Sequence, residues 1–194
     1  MQSIEVEIKF RVRDPKALQA TLPQLGFRCV TPRTFERNIL FDTPGRELRA
    51  TRQILRLRRY GNRWLLTHKQ TTPNDSPQAR HKERIETETA VEDGEAVASI
   101  FRVLGYTFTF VYEKWRSEWS DGTGHCVIDE TPIGLYAELE GPPEWIDRTL
   151  GLLHVEHSDV TTLSYGRLFE QWQKQTGSSA QNMSFAEIQP ALAH

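Results

Sequence analysis

The sequence contains little cysteine and no long apolar run, and its positive and negative charges almost cancel. Cys29 and Cys126 are the only cysteines in 194 residues, so we expect no disulfide framework and favour a reducing compartment. No apolar run approaches the roughly 20 residues of a membrane span, and the charged N-terminus is unlike a signal peptide. The net charge of −2 disfavours a nucleic-acid binder that works through bulk positive charge. We therefore expect a cytoplasmic protein without a membrane or nucleic-acid partner.

The bulk composition is typical of one globular domain. The chain is 38% hydrophobic and 26% charged, and its length is sufficient for a substantial core or a closed barrel. We expect residues 1–176 to form this domain, as a monomer or a homodimer. Residues 177–194 are mostly small and polar, which predicts a poorly ordered tail.

Alternating apolar and polar residues predict that most of the chain forms β-strands. The predicted strands and hairpins lie within 1–12, 38–48, 54–70, 81–91, 111–131 and 132–141. The predicted amphipathic helices lie at 15–25, 93–105 and 162–174. The polar segment 71–80 predicts a loop. Asp14 and Pro15 suit the start of the first helix.

One face of nearly every predicted strand carries charges of both signs. In the first strand, Glu5, Glu7 and Lys9 share one face, while Ile8 and Phe10 lie on the other. In later strands the charged face carries Arg56, Arg58, Lys69, Arg84, Glu86, Glu88, Lys114, Arg116, Glu118, Asp129, Glu138 and Glu140. These faces either point to water around a sandwich core or point inward in a closed barrel with a wet interior.

Three features favour the inward arrangement, although the pattern alone leaves both arrangements open. The apolar stripes of the predicted helices need a surface on which to pack. The charged faces are dominated by Arg, Lys and Glu rather than by Thr, Ser and Gln. The pattern E-x-E also occurs twice, at Glu5/Glu7 and at Glu138/Glu140.

The chemistry of an inward charged face points to a metal-bridged polyphosphate. Carboxylates two residues apart on a strand converge and repel unless a hard cation lies among them. Oxygen-only ligands favour Mg²⁺ or Mn²⁺. Enclosed Arg and Lys side chains likewise need an anion, and guanidinium groups match phosphate oxygens.

These residues also resemble a known family. The segment E-V-E-I-K at 5–9 resembles the ExExK signature of the CYTH superfamily, the triphosphate tunnel metalloenzymes. In the expected order, the resemblance continues through L-R-L-R at 55–58, Lys69, K-E-R-I-E-T-E at 82–88, E-K-W-R at 113–116, D-E-T-P-I-G-L-Y-A-E-L-E-G at 129–141 and S-Y-G-R-L-F at 164–169. One ExExK is a weak match, but the ordered set over about residues 1–172 is specific.

The resemblance implies an all-β-dominated α+β fold. It implies a closed antiparallel eight-stranded β-barrel around a tunnel, with amphipathic helices packed outside, and a dependence on Mg²⁺ or Mn²⁺. By position, the implied metal ligands are Glu5, Glu7, Glu86, Asp129, Glu138 and Glu140. The implied phosphate-binding residues are Lys9, Arg56, Arg58, Lys69, Lys114 and Arg116, with Arg84 a weaker candidate. A basic residue that some members contribute near the C-terminus has no secure match, and Lys174 is the nearest candidate.

The function implied first is hydrolysis of inorganic tripolyphosphate or of an organic triphosphate such as thiamine or nucleoside triphosphate. In this interpretation Lys9, Glu5 and Glu7 are catalytic: Lys9 positions or helps to activate the nucleophile, and the two glutamates hold metal. A class IV adenylate cyclase, which forms cyclic AMP and pyrophosphate from ATP, is the alternative. A non-catalytic polyphosphate or nucleotide sensor is a second alternative.

Overall fold

The strands close into an antiparallel barrel. The computed structural model describes residues 2–73 and 79–188. The strands are β1 (Gln2–Arg11), β2 (Arg28–Asp42), β3 (Ile54–Tyr60), β4 (Arg63–Thr71), β5 (Lys82–Val91), β6 (Thr107–Ser120), β7 (His125–Thr131), β8 (Gly134–Glu140) and β9 (Val160–Thr161). Their order is β5-β4-β3-β2-β6-β7-β8-β1, and β1 also pairs with β5. The predicted eight-stranded closed barrel is therefore confirmed, with the two-residue β9 as an extra strand beside β1.

The helices cover the outside and one end of the barrel. They are α1 (Pro15–Thr21), α2 (Glu47–Ala50), α3 (Gly94–Val103), α4 (Pro143–Leu152), α5 (Tyr165–Thr176) and α6 (Phe185–Ile188). The sequence predicted α1, α3 and α5. It did not predict α4, which begins directly after Pro142 and buries Trp145 and Ile146. Among the described residues, no helix is both long and apolar enough to cross a membrane.

The two faces of β1 explain why the barrel interior is charged. Ile8 and Phe10 are only 2% and 4% exposed, and they belong to an apolar cluster between the outside of the barrel and α1 and α4. A second cluster joins Ile39 and Leu57 to Ala98 of α3. Because these apolar faces are buried outward, the alternate residues of the same strands point into the barrel.

Part of the segment expected to form a tail contacts the barrel. Residues 178–188 return to the barrel, where Met183 forms a parallel bridge with Tyr112 and is fully buried. The backbone N–H of Met183 donates to the carbonyl of Val111 at 3.0 Å, and its carbonyl accepts from Glu113 at 2.9 Å. One buried methionine and two backbone hydrogen bonds thus order a segment whose composition is otherwise that of a tail. Residues 189–194 of the expected tail, and 74–78 of the predicted loop, lie outside the described residues.

Candidate active site in the barrel tunnel

The barrel encloses a cavity of about 570 Å³ whose wall carries both signs of charge. The charged residues that line it are Glu5, Glu7, Lys9, Arg56, Arg58, Lys69, Lys82, Glu86, Glu88, Lys114, Arg116, Glu118, Glu138 and Glu140. They come from six strands of the barrel. Of the two arrangements that the sequence left open, the structure adopts the one with inward charges. We call this cavity the tunnel.

Lys69 of β4 joins two predicted metal ligands. Its Nζ donates to the two carboxylate oxygens of Glu5 at 2.7 and 2.6 Å and lies 2.7 Å from Oε2 of Glu86. Burial opposes the charge of this ammonium group, but attraction to Glu5, Glu7 and Glu86 raises the pKa of Lys69 above its ordinary value. The ammonium group is therefore fixed between carboxylates of β1 and β5.

Asp129 of β7 is fully buried. It lies behind the side chains of the tunnel wall opposite Lys69 and holds them in place. Its carboxylate accepts hydrogen bonds from Lys114 at 2.9 Å, from Arg116 at 2.7 and 2.6 Å, and from the hydroxyl of Tyr165 at 2.5 Å. Arg116 also donates to Glu138 at 2.6 Å. Asp129 thus holds two predicted phosphate-binding residues in place and does not itself line the tunnel.

Glu36 of β2 is a second buried carboxylate at this wall, and the sequence prediction missed it. It is fully buried, with Lys114 at 3.4 Å, Arg58 at 3.7 Å and Arg116 at 4.0 Å. Burial opposes its ionisation, but these cations outweigh burial and hold the pKa of Glu36 well below its ordinary value. Asn38 donates to it at 2.8 Å. The signal was present in the sequence, because Glu36 and Asn38 alternate in phase with the inward face of β2.

The two arginines of β3 that line the tunnel are also held in place by neighbours. Arg56 donates to the Tyr112 hydroxyl and to Thr67 Oγ1, both at 3.3 Å. Arg58 donates to Glu88 at 2.8 Å, and Glu88 also accepts from Thr67. Both guanidinium groups are therefore oriented before any ligand binds, which lowers the entropic cost of binding one.

Lys9 and Lys82 each donate to a carboxylate of the tunnel. Lys9 donates to Glu138, and its Nζ lies 4.3 Å from the ring centre of Tyr165. Lys82, which the sequence motifs included without a role, donates to Glu7. Tyr165 therefore contacts the site both through its ring and through its hydroxyl, although the sequence assigned it no role either.

The pKa values of three neighbouring glutamates, Glu5, Glu7 and Glu140, are shifted in different directions. Burial opposes ionisation of Glu7, but attraction to Lys82, Lys9 and Lys69 lowers its pKa to about 2. Burial and repulsion from Glu7 raise the pKa of Glu5. Burial and repulsion from Glu5 and Glu7 raise the pKa of Glu140 to about 7. Negative charge is thus in local excess around Glu5 and Glu140, whereas positive charge dominates around Glu7.

A family model matches most of the chain, including the strands that carry the charged residues of the tunnel. Residues 3–144 match the CYTH domain. The chain belongs to the CYTH domain family. The resemblance seen in the sequence is therefore confirmed. This family is a metal-dependent triphosphate tunnel family, so membership supports an enzyme that acts on small-molecule triphosphates.

Relatives and solved structures agree with the CYTH assignment. A Methanocaldococcus jannaschii protein named "putative adenylate cyclase" is 30% identical over 138 residues, which cover 71% of this chain and 76% of that protein. A Vibrio parahaemolyticus structure with the same description has a TM-score of 0.74 at 20% identity and covers 87% of this chain and 98% of its own. A Hippeastrum "putative adenylyl cyclase", described as having a dominant triphosphatase activity, has a TM-score of 0.61 at 18% identity and covers 88% and 96%.

The CYTH tunnel fits a hard divalent cation by the type of its ligands. Within residues 2–73 and 79–188, no three His, Cys, Asp or Glu side chains are grouped so that they could already hold a metal ion, because most of the carboxylates face lysine or arginine. Glu5, Glu7 and Glu140 nevertheless offer only oxygen ligands, and the excess negative charge around Glu5 and Glu140 favours a cation.

Two predicted basic residues lie apart from the central tunnel. Arg84 follows the inward phase of β5, but it lines a second cavity that adjoins the tunnel. Lys174 is exposed in the last turn of α5 and lines neither cavity. The other predicted phosphate-binding residues all line the tunnel.

Proposed function

We propose that this protein hydrolyses a triphosphate inside the tunnel, with inorganic tripolyphosphate or an organic triphosphate as substrate and Mg²⁺ or Mn²⁺ as cofactor. The observation that carries this proposal is the pairing of acidic and basic side chains across one enclosed cavity. Each basic side chain of these pairs is a candidate to bind phosphate, and most of the acidic side chains are candidates to bind metal. A metal–triphosphate complex brings both charges at once, so it can replace these pairs without leaving a buried charge unpaired.

The phosphate chain would lie along the arginines and lysines of the wall. Arg56, Arg58 and Arg116 supply forked donors that match phosphate oxygens, while Lys69 and Lys114 supply point charges. Asp129 and Glu36 remain behind this wall and keep Lys114 and Arg116 oriented. We therefore assign Asp129 a positioning role, and not the metal-binding role expected from its place in the sequence.

The carboxylates on the other side would hold the cation. Glu5, Glu7 and Glu140 are the leading ligands. Glu5 and Glu7 would become free for metal once Lys69 and Lys82 bind phosphate. Glu86 and Glu138 could join once Lys69, Lys9 and Arg116 do the same. A bound divalent cation offsets phosphate charge and lowers the pKa of water.

Lys9 is our candidate for the residue that acts at the reacting end of the substrate. It lies between Glu138 and the Tyr165 ring, so its ammonium group is directed into the cavity. From there it would orient the terminal phosphoryl group and the attacking water, and it would stabilise the charge of the transition state.

Adenylate cyclase activity is the second candidate function. Its support is the description shared by the Methanocaldococcus and Vibrio proteins. The same wall would hold the triphosphate of ATP, and the ribose hydroxyl would attack in place of water. The Hippeastrum protein, whose described activity is mainly that of a triphosphatase, favours hydrolysis as the first choice.

A substrate panel tests the proposal. We expect tripolyphosphate, thiamine triphosphate or ATP to release phosphate with Mg²⁺ or Mn²⁺ and none with excess chelator. Lys9→Met should lower kcat by roughly 100-fold, whereas Arg63→Gln, at the exposed turn between β3 and β4, should not. Cyclic AMP and pyrophosphate in equal amounts would support the cyclase instead. Tight binding without any product would contradict both enzymes and support a sensor.

A further inference from the structure

A second cavity of about 610 Å³ adjoins the tunnel. The two cavities share Leu40, Ile54, Lys82, Ser164 and Gly166 in their walls. We call this second cavity the vestibule. Its place beside the tunnel means that a ligand longer than the tunnel would extend into it.

The vestibule is strongly basic in a chain whose net charge is −2. Its basic side chains come from three separate segments: Arg46, Arg49 and Arg52 between β2 and β3, Lys82 and Arg84 of β5, and Arg167 of α5. Among its described lining residues, only Asp42 and Glu170 are acidic. Three segments that are distant in sequence thus converge on one cavity with an excess of positive charge.

The two carboxylates are already engaged in local structure. Asp42 is 4% exposed, and its oxygens accept three backbone N–H groups of the segment that follows it, including that of Arg49. Glu170 accepts hydrogen bonds from the side chains of Arg49 and Arg167 at 2.8 Å each. Asp42 therefore fixes the basic segment between β2 and β3, and Glu170 offsets only part of the charge.

Two of these arginines have a backbone conformation that is unusual for their residue type. Arg46 and Arg52 flank α2 with φ of 59° and 58°, in the left-handed region where Gly or Asn is the common choice. Such a conformation costs free energy and is concentrated at functional sites. Both arginines that adopt it line the vestibule.

We propose that the vestibule binds the distal phosphoryl groups of a linear polyphosphate longer than three phosphates, while one end of that chain occupies the tunnel. The proposal rests on the proposed function for the end inside the tunnel. Guanidinium groups match further phosphoryl groups. A neutral nucleoside offers no negative charge to this wall, and the cationic thiamine group would be repelled by it.

The test compares ligands of two lengths. Binding of tripolyphosphate, of linear hexaphosphate and of ATP is measured by calorimetry in chelator, where metal-dependent turnover cannot occur. The double variant Arg46→Asn/Arg52→Asn removes two charges with a residue that tolerates left-handed backbone. Arg63→Asn removes a charge at the far end of the β3–β4 hairpin and serves as the matched control.

We expect hexaphosphate to bind more tightly than tripolyphosphate, with a difference that shrinks as salt is raised. In the double variant, the Kd for hexaphosphate should rise roughly three- to tenfold, while the Kd for tripolyphosphate stays unchanged. The control should retain both values. If circular dichroism shows that the double variant is unfolded, Arg167→Gln on α5 should give the same selective loss.

Three outcomes would overturn the vestibule proposal: equal binding of both ligands to the wild type, equal weakening of both ligands in the variants, or weakening of ATP alone. The last outcome would assign the vestibule to a nucleoside. Failure of the proposed function can be told apart from failure of the vestibule proposal. Tripolyphosphate hydrolysis can be absent while hexaphosphate still binds through Arg46 and Arg52. Conversely, tripolyphosphate can be hydrolysed while hexaphosphate gains no affinity.

Discussion

At the scale of single residues, the acidic and basic side chains of the tunnel form ion pairs with one another. Lys69 bridges Glu5 and Glu86, and Lys9 pairs with Glu138. Such pairs contribute little to net stability because desolvation opposes their attraction. The proposed function would explain their arrangement by exchange, in which metal would bind the carboxylates and phosphate would bind the basic side chains. Mutations on the two sides of a pair should therefore have different kinetic signatures.

Glu5→Gln and Arg56→Gln test this difference. Glu5→Gln keeps the size of the side chain and leaves Lys69 paired with Glu86, so the barrel should fold while activity requires more metal. Arg56→Gln removes a guanidinium contact worth about 1.5–3 kcal/mol, so KM for substrate should rise roughly ten- to a hundredfold. Steady-state kinetics over a matrix of metal and substrate concentrations separates the two effects.

Rescue by metal is the feature that distinguishes these variants. High metal should partly restore Glu5→Gln and should leave the KM of Arg56→Gln unchanged. If metal rescued both variants equally, Arg56 would act through the cation site. Full activity in both variants would show that neither side chain takes part.

At the scale of elements, the sequence predicted what local alternation and caps determine, and it missed what distant pairing determines. The strict alternation of β1 and the Asp14 cap of α1 both appear in the structure. By contrast, β2 begins at Arg28 and not near Asn38. Pro32 and irregular pairing between Cys29 and Thr34 interrupt its alternation, and only the long β6 beside it keeps the segment extended. Because this part of the strand was not predicted, Glu36 was not identified as a site residue.

The same reasoning applies to the site. Alternation put residues of short in-phase motifs, such as Glu5, Glu7 and Arg56, on the charged faces, and the family resemblance then predicted that these faces line a tunnel. Tyr165 was not, because a tyrosine at the start of a helix gives no sign that it will reach a buried aspartate on a strand 36 positions earlier. Asp129 was in phase with the site, but alternation cannot tell whether a side chain lines a cavity or supports the residues that do.

The C-terminal segment gives the element-scale prediction. Met183 is fully buried against Tyr112, Tyr165 and their neighbours, so Met183→Ala should reduce the free energy of unfolding by about 2–5 kcal/mol. Val103→Ala is the matched control: Val103 is 88% exposed on α3, so its effect should stay within about 0.5 kcal/mol. Urea unfolding measures both. Equal, small effects would mean that residues 178–188 do not pack on the barrel in solution.

At the scale of the whole molecule, the enclosed carboxylates make stability depend on pH in two directions. The pKa values of Glu7, Glu36 and Glu138 are lowered by facing cations, despite burial. Their contribution is present above the unfolded pKa of about 4.5 and is lost as pH falls toward about 2. The pKa values of Glu5 and Glu140 are raised by burial and by like charge. Their contribution is present below pH 4.5 and, for Glu140, is lost as pH rises through about 7.

The metal-free barrel should therefore be most stable in mildly acidic solution, and its Tm should fall both below about pH 4.5 and from there toward pH 8. Scanning calorimetry in chelator measures this profile. Glu140→Gln should flatten the limb between pH 5 and 8, although only in part: nearby protein desolvates the carboxylate of Glu140, but the residue keeps an exposed surface, so water screens its repulsion. Glu144→Gln, at an exposed position of α4, should leave the limb unchanged. A Tm that rises steadily from pH 5 to 8 would mean that the tunnel carboxylates do not repel one another, which would remove the charge argument for a cation among Glu5, Glu7 and Glu140.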